Sequence, residues 1–350
     1  LNDIPFVVYM ATTLGSEVLF AATLAENPAI WGGSTIQIPD PPHLPPDQER
    51  SASAFAATSP DGRIHVVWAH TDRYGSSFIA NIFYARLLQG PVPTVELTEI
   101  VYSKAVPGFF TIAAAGVKVD PVTGVVHVIW AEQFPPNLLY SQRTGGGWSS
   151  SEIVTALPFP NYAANVRVVP ADIALLSPGA PACAAGDISL LTTYYLERGV
   201  AGWSKETAGG YASFDSFFPS RPAIAIDSKD RAVLLFGQQS APTVAMKRRE
   251  APSTFSASAV TPFTNSKAFH SIASGSDDTF YIGSGSNSLL VTSRQWEDNL
   301  GNQDPYVTVH NGSGAALNAA NGNEHFLLPL LRARGRGLSA ALDLHWNSLE

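Results

Sequence analysis

The chain has a single cysteine, Cys183, in 350 residues. An internal disulfide is therefore excluded, and the fold has to be held by packing and strand pairing. Charge is also scarce: Asp, Glu, Lys and Arg make up 14% of the chain, with 21 basic residues against 29 acidic ones. A net charge of −8 with no basic run argues against a nucleic-acid partner. No apolar run reaches the ~18–20 residues that a membrane helix needs, so no membrane span is expected. The longest candidate, residues 6–24, is interrupted by Thr12-Thr-Leu-Gly-Ser-Glu17 and reads as two strands. Cofactor motifs are missing too. There is no Cys/His spacing for zinc, no His-Glu-x-x-His, no phosphate-binding Gly-rich loop before a helix and no Gly-x-Ser-x-Gly. The sequence therefore assigns no metal ligand and identifies no cofactor.

What is present is enough apolar content, 45%, to bury a large core. The chain starts at Leu1 rather than Met and is rich in Ala, Gly, Pro, Ser and Thr. Both features fit an exported protein, so a secreted or periplasmic location is expected.

A pattern returns about every fifty residues: apolar alternation, an Asp/Gly turn, then an apolar strand ending in an aromatic. It reads Ala54-Phe-Ala-Ala-Thr-Ser-Pro-Asp-Gly-Arg-Ile-His-Val-Val-Trp68, then Gly116-Val-Lys-Val-Asp-Pro-Val-Thr-Gly-Val-Val-His-Val-Ile-Trp130. It recurs as Pro222-Ala-Ile-Ala-Ile-Asp-Ser-Lys-Asp-Arg-Ala-Val-Leu-Leu-Phe236, and more faintly over residues 272–282. In the first full unit the strand-like segments are 52–58, 63–69, 79–87 and 94–102. Such a repeated meander implies an all-β fold, a β-propeller with four-stranded antiparallel blades. The chain opens in mid-unit, and Leu338-Ser-Ala-Ala-Leu-Asp343 matches the missing first strand. Closing the ring by joining that C-terminal strand to the N-terminal blade leaves no open edge. One domain of six blades results, at about 1–40 plus 338–347, 51–104, 108–157, 160–213, 214–264 and 265–336. Seven blades are the alternative. Residues 177–186 read as an inserted loop.

In four-stranded blades the first strand lines the channel. The loops before first strands and after second strands gather on one face, where sites assemble. His65 and His127 occupy the same repeat position and read as structural, as do Trp68 and Trp130. The residues that break the repeat point to chemistry. His70, Asp72, Arg73 and Tyr74 follow Trp68 in what reads as a loop, and Glu132 matches His70 after Trp130. Arg50, Arg221 and His270 precede first strands. Proton-transfer groups (His70, Tyr74, Glu132) beside ligand-binding groups (Arg50, Asp72, Arg73, Arg221, His270) suit a glycan or another small acidic ligand. Aromatic loops carrying Phe109, Phe110, Phe217 and Phe218 suit sugar stacking or a protein partner.

Ser141-Gln-Arg-Thr-Gly-Gly-Gly-Trp148 keeps the spacing of the Asp-box, Ser-x-Asp-x-Gly-x-Thr-Trp, with Arg143 in place of its Asp and Gly147 of its Thr. A second Trp turn, residues 197–203, reads as similar but out of register by one. With the repeat, the chain resembles the sialidase-like (BNR-repeat) six-bladed propellers. That resemblance implies a carbohydrate-related function: binding or cleaving a glycan on the channel face, as a glycoside hydrolase or polysaccharide lyase if it is an enzyme. A non-catalytic interaction scaffold is the rival. A sialidase mechanism would draw its arginines from Arg50, Arg73 and Arg221 and its nucleophile from Tyr74 or Tyr162, neither of which has an assignable Glu.

Overall fold

A computed structural model describes residues 6–347 except 14–15, 25–30, 44–45, 91, 109–111, 134, 157–170, 188–189, 211–220, 238–242, 257–258, 265–268, 275–278, 286–288, 296–305, 309–314, 319–323 and 335–338. The described residues form strands and turns without a helix. They fall into two compact units, Leu1–Arg221 and Pro222–Glu350.

The first unit holds four antiparallel sheets in chain order. The first has three strands, β1 (Phe6–Thr13), β2 (Ser16–Leu24) and β3 (Trp31–Gln37). The second is β4 (Gln48–Thr58), β5 (Arg63–Tyr74), β6 (Ser77–Leu88) and β7 (Thr94–Val106). The third is β8 (Ile112–Val119), β9 (Val126–Gln133) and β10 (Pro136–Thr144), with β11 (Gly147–Trp148) and β12 (Glu152–Ala156) sharing the fourth place beside β10. The fourth is β13 (Ala171–Leu176), β14 (Ala180–Asp187), β15 (Thr192–Gly199) and β16 (Gly202–Gly210).

In the second unit, β17 (Ala223–Ile226), β18 (Ala232–Gly237), β19 (Thr243–Ala251), β20 (Thr254–Phe255) and β21 (Ala259–Thr264) repeat the arrangement of the third sheet. There Asp227 accepts from the Lys229 and Arg231 amides and the Arg231 guanidinium, which ties the β17–β18 turn. Its other sheet has seven strands: β22 (Phe269–Ser274), β23 (Thr279–Gly285), β24 (Leu289–Gln295), β25 (Tyr306–Thr308), β26 (Ala315–Asn318), β27 (Glu324–Arg334) and β28 (Ser339–Asn347). The C-terminal strand β28, expected to complete the first blade, pairs with β27.

The period-two alternation explains how the first unit is built. Along β5, Ile64, Val66 and Trp68 pack with Leu19, Ala21 and Ile38 of the first sheet's side. Val67 and Ala69 point the other way, to Val117, Val128 and Trp130 of the third sheet. The third sheet repeats this, sending Ile129, Leu138 and Tyr140 to Ile173, Cys183 and Leu196 of the fourth. Sheets buried on both faces therefore stack face to face, as propeller blades do, with Trp68 and Trp130 fully buried between them. His65 and His127 are structural: each ring places Nδ1 against a tyrosine hydroxyl, Tyr84 at 2.8 Å and Tyr140 at 2.7 Å. Tyr140 donates its only proton to Gln142, so His127 carries its own on Nδ1.

The innermost strands bulge at one repeat position. Ser53 is skipped in the β4–β5 register, with φ 42°, and Ala115 is skipped between β8 and β9. Next to that bulge, a Cβ on Gly116 would lie 2.8 Å from Ile173 Cγ2, so only glycine lets β8 approach β13 this closely.

Two readings change. Residues 177–186 are not an inserted loop: 177–179 make a turn and Ala180–Asp187 is strand β14. Its Ala182-Cys-Ala-Ala185 run has little strand propensity, yet all four are fully buried where only small side chains fit. The turn itself needs Gly179, at φ 86°, because a Cβ there would run into the Asp120 carboxylate.

The two Trp turns, in turn, are in register with each other. Arg143 pairs with Trp148 and Arg198 with Trp203 across equivalent hairpins. Arg143 grips Glu99 of the preceding sheet with both ends of its guanidinium (2.7 and 2.8 Å), and Arg198 grips Glu152 likewise (2.9 and 2.8 Å). Where the Asp-box has Asp, this chain has a sheet-to-sheet clamp. A double-mutant cycle of Arg143→Ala with Glu99→Gln, read by urea unfolding, should give a coupling of about 1 kcal/mol, as expected for a bidentate pair only partly shielded from water.

Candidate functional site

The residues from His70 to Tyr74 continue strand β5 rather than forming a loop, because the β5–β6 hairpin closes tightly at Gly75, φ 60°. Strand alternation therefore puts His70 and Asp72 on one face, that of Trp68, in the crevice towards the first sheet. The β3–β4 connection crosses here and brings in Asp40 and His43. His70 lies flat on Phe83 (centroids 4.8 Å apart) and is 1% exposed.

Every polar atom of the buried pair is engaged. His70 Nδ1 is 2.9 Å from Ser51 Oγ, and Nε2 is 2.8 Å from Asp72 Oδ1. Asn81, opposite His70 on β6, donates to Asp72 Oδ2 at 3.0 Å. His43 sets Nε2 3.6 Å from Asp72 Oδ1 and holds Nδ1 2.7 Å from the Pro41 carbonyl. Asp40 Oδ2 stands 3.9 Å from His70 Nδ1. Burial pulls the His70 pKa down, but the hydrogen bond to Asp72 and the fields of Asp40, Asp72 and Glu49 outweigh it and leave it above the ordinary value. Burial likewise raises Asp40.

The next sheet carries a second polar group at the same repeat position. Glu132 faces the second sheet, where Tyr102 and Lys104 of β7 donate to its Oε2 at 3.0 and 2.9 Å. Asn137, opposite it on β10, donates to Oε1 at 3.2 Å. Tyr102 is thus a tyrosine with a glutamate partner, but burial and the Glu132 charge raise its pKa, so the phenol stays protonated.

The other expected site residues lie elsewhere. Arg221 is spent inside the unit. Its Nε donates to the Ala171 carbonyl (2.9 Å), and Nη2 donates to the Ala115 bulge carbonyl and to Asp172 Oδ1 (both 2.7 Å). Its Cζ also lies 4.3 Å from the Phe55 ring centroid. Arg73 turns to the rim, donating to the Gly75 carbonyl and Gln48. Arg50 is exposed on β4, and Tyr74 is half-buried at the end of β5 with its pKa raised by burial. His270 is on β22 opposite Ser284, and its side chain lies outside the described ones. Phe109, Phe110, Phe217, Phe218 and Tyr162 fall outside the described residues. Sequence reading missed His43, Ser51, Asn81, Tyr102 and Asn137. The two asparagines left a trace, as lone amides in otherwise apolar strand segments.

No family model matches the chain, and neither does any curated protein. Solved structures do. The chain is similar to the Hadza microbial sialidase Hz136, with 12% identity and a TM-score of 0.46 over 79% of this chain and 63% of that one. It therefore spans 63% of that sialidase's length. It is similar to a protein from Lactobacillus plantarum, with 12% identity and a TM-score of 0.48 over 97% and 95% of the two chains. It is also similar to the fucose-specific lectin from Aleuria aurantia, with 10% identity and a TM-score of 0.41 over 85% and 93%.

Proposed function

We propose that this protein is a carbohydrate-recognising propeller that binds a neutral glycan where β4 and β8 begin and β5 and β9 end. The supporting observation is a duplicated polar pair in an otherwise apolar repeat. His70–Asp72 with Asn81, and Glu132 with Asn137, occupy the same position on successive sheets. Buried and held by hydrogen bonds, these groups fix the strand ends around them, and a pre-set surface binds a sugar at lower entropic cost.

The charge balance favours a neutral ligand over the acidic one expected from the arginines. Arg221 is committed to Asp172 and two carbonyls, and Lys104 to Glu132, while Asp40 and Glu49 are half-buried beside His70 and Asp72. An incoming carboxylate would meet like charge. Binding is favoured over cleavage, because the proton-transfer candidates His70 and Glu132 are buried with both ring nitrogens and both carboxylate oxygens already engaged. A six-bladed propeller is part of the proposal, supported by the repeat period.

Neutral, sialylated and uronic-acid oligosaccharides should be offered to the purified protein, with retention measured and products checked by mass spectrometry. Retention of neutral glycans without cleavage is expected. Glu132→Gln, shown folded by its melting curve, should weaken retention by roughly ten- to a hundredfold, the worth of one charged hydrogen bond. Retention of only acidic glycans, or of none, overturns the reading.

A further inference from the structure

The groups that meet below the β3–β4 connection have the donor set of a metal centre. His43, Glu49, His70 and Asp72 each offer one ligand atom, and these atoms lie within 4.8 Å of one another. We propose that they form a binding site for a divalent first-row transition ion of the zinc type. This goes beyond glycan recognition and does not depend on it.

Three observations carry the proposal. The first is the donor chemistry. Two imidazoles and two carboxylates suit zinc and its neighbours, whereas calcium and magnesium take all-oxygen sites.

The second is the set of outer partners that already orient the ligands. The Pro41 carbonyl lies 2.7 Å from His43 Nδ1, which sets Nε2 as the free nitrogen facing Asp72. Ser51 Oγ holds His70 Nδ1 at 2.9 Å, again turning Nε2 inward. Asn81 occupies Asp72 Oδ2 at 3.0 Å and leaves Oδ1 for the centre. Each ligand nitrogen, and Asp72, is backed by an atom that fixes its orientation, as outer-shell groups do in metal sites.

The third is exposure. His70 and Asp72 form a buried floor, each 1% exposed. His43 and Glu49 are half-buried at the mouth, which provides an entry path. Asp40, Glu49 and Asp72 bring three carboxylates together beside the two imidazoles in a poorly solvated crevice, and a dication would offset their mutual repulsion. On binding, the ion would take the place of the proton now shared by His70 Nε2 and Asp72 Oδ1. No spacing motif announces the set, because its members come from a connection and two strands.

The test is zinc binding to untagged, chelator-treated full-length protein, with no sugar present. Isothermal titration with zinc chloride should give one ion per chain. Cobalt(II) should develop the intense visible absorption of a low-coordinate site containing nitrogen ligands. His43→Ala and Glu49→Gln remove mouth ligands without opening the core, and each should raise the zinc Kd by roughly tenfold or more while far-UV circular dichroism stays unchanged. Failure of the wild type to bind zinc, binding with unchanged affinity in both variants, or preference for calcium or magnesium over zinc would each overturn the proposal. Because no glycan enters the assay, its outcome is independent of the glycan reading.

Discussion

Arg221→Met should be the most damaging single substitution of a charged residue in the first unit, lowering the melting temperature by about 10 °C. The guanidinium joins three successive sheets. It bonds to the Ala171 carbonyl and Asp172 in β13 and to the Ala115 carbonyl in β8, and it lies over Phe55 of β4. Its side chain is 11% exposed, so its partners have little water to turn to. Methionine keeps the stacking on Phe55 but takes a charged donor away from two carbonyls and from Asp172. Breaking one partner out of a buried ion pair costs about 3–5 kcal/mol, and 1 kcal/mol shifts the melting point of a unit this size by about 2–4 °C. Arg221→Lys restores the charge but not the fork of donors, so it should recover only part of the loss. A melting point within about 2 °C of wild type for Arg221→Met would show that the inner strands hold together without it.

Acid should destabilise the protein well before its carboxylates are protonated. His65 and His127 have pKa values lowered to about 4, mainly by burial. Arg86, Arg63 and Arg143 lower His65 further against Asp61, as Arg198 lowers His127 against Asp120. In the unfolded chain each titrates near its ordinary value of about 6.5. Between those limits the unfolded state binds protons that the folded state refuses. Stability is therefore complete above about pH 6.5 and falls as the pH drops towards 4, by on the order of 2–3 kcal/mol per histidine.

Asp61, Glu96, Glu99 and Asp120, all lowered, lose their contributions only further down, below about pH 4. His70, raised, has the opposite sign: its contribution is present in acid and fades as the pH rises through its folded value. Urea unfolding at pH 6.5 and 4.5 separates these effects. The wild type should lose several kcal/mol across that step, and the His65→Asn/His127→Asn double variant should be less stable at pH 6.5 but lose much less on acidification. Equal losses in the two proteins would place the acid sensitivity elsewhere.

Strands and turns were readable from the sequence because each rests on local physics. Apolar alternation sets the two faces of a strand, and Asp-Gly turns close the hairpins, as Gly62 does at φ 77°. The structural role of His65 and His127 followed from their repeated position. Their tyrosine partners, on the next strand of the hairpin, did not. Residues 70–74 looked like a loop because they are polar, yet they are strand. Polar side chains belong there because that stretch of β5 faces a crevice lined by Asp40, His43 and Asn81.

The sequence by itself determined an all-β repeat protein, the period of its blades and the end of the strands where charge gathers, since periodicity and its interruptions are properties of adjacent residues. Only the tertiary structure decided that Arg221 is an internal strut rather than a ligand-facing cation. It also decided that Arg143 and Arg198 clamp neighbouring sheets, and that His43 and Glu49 meet His70 and Asp72. Those pairings depend on which faces oppose one another when sheets stack, and stacking brings together side chains whose separation along the chain carries no signal.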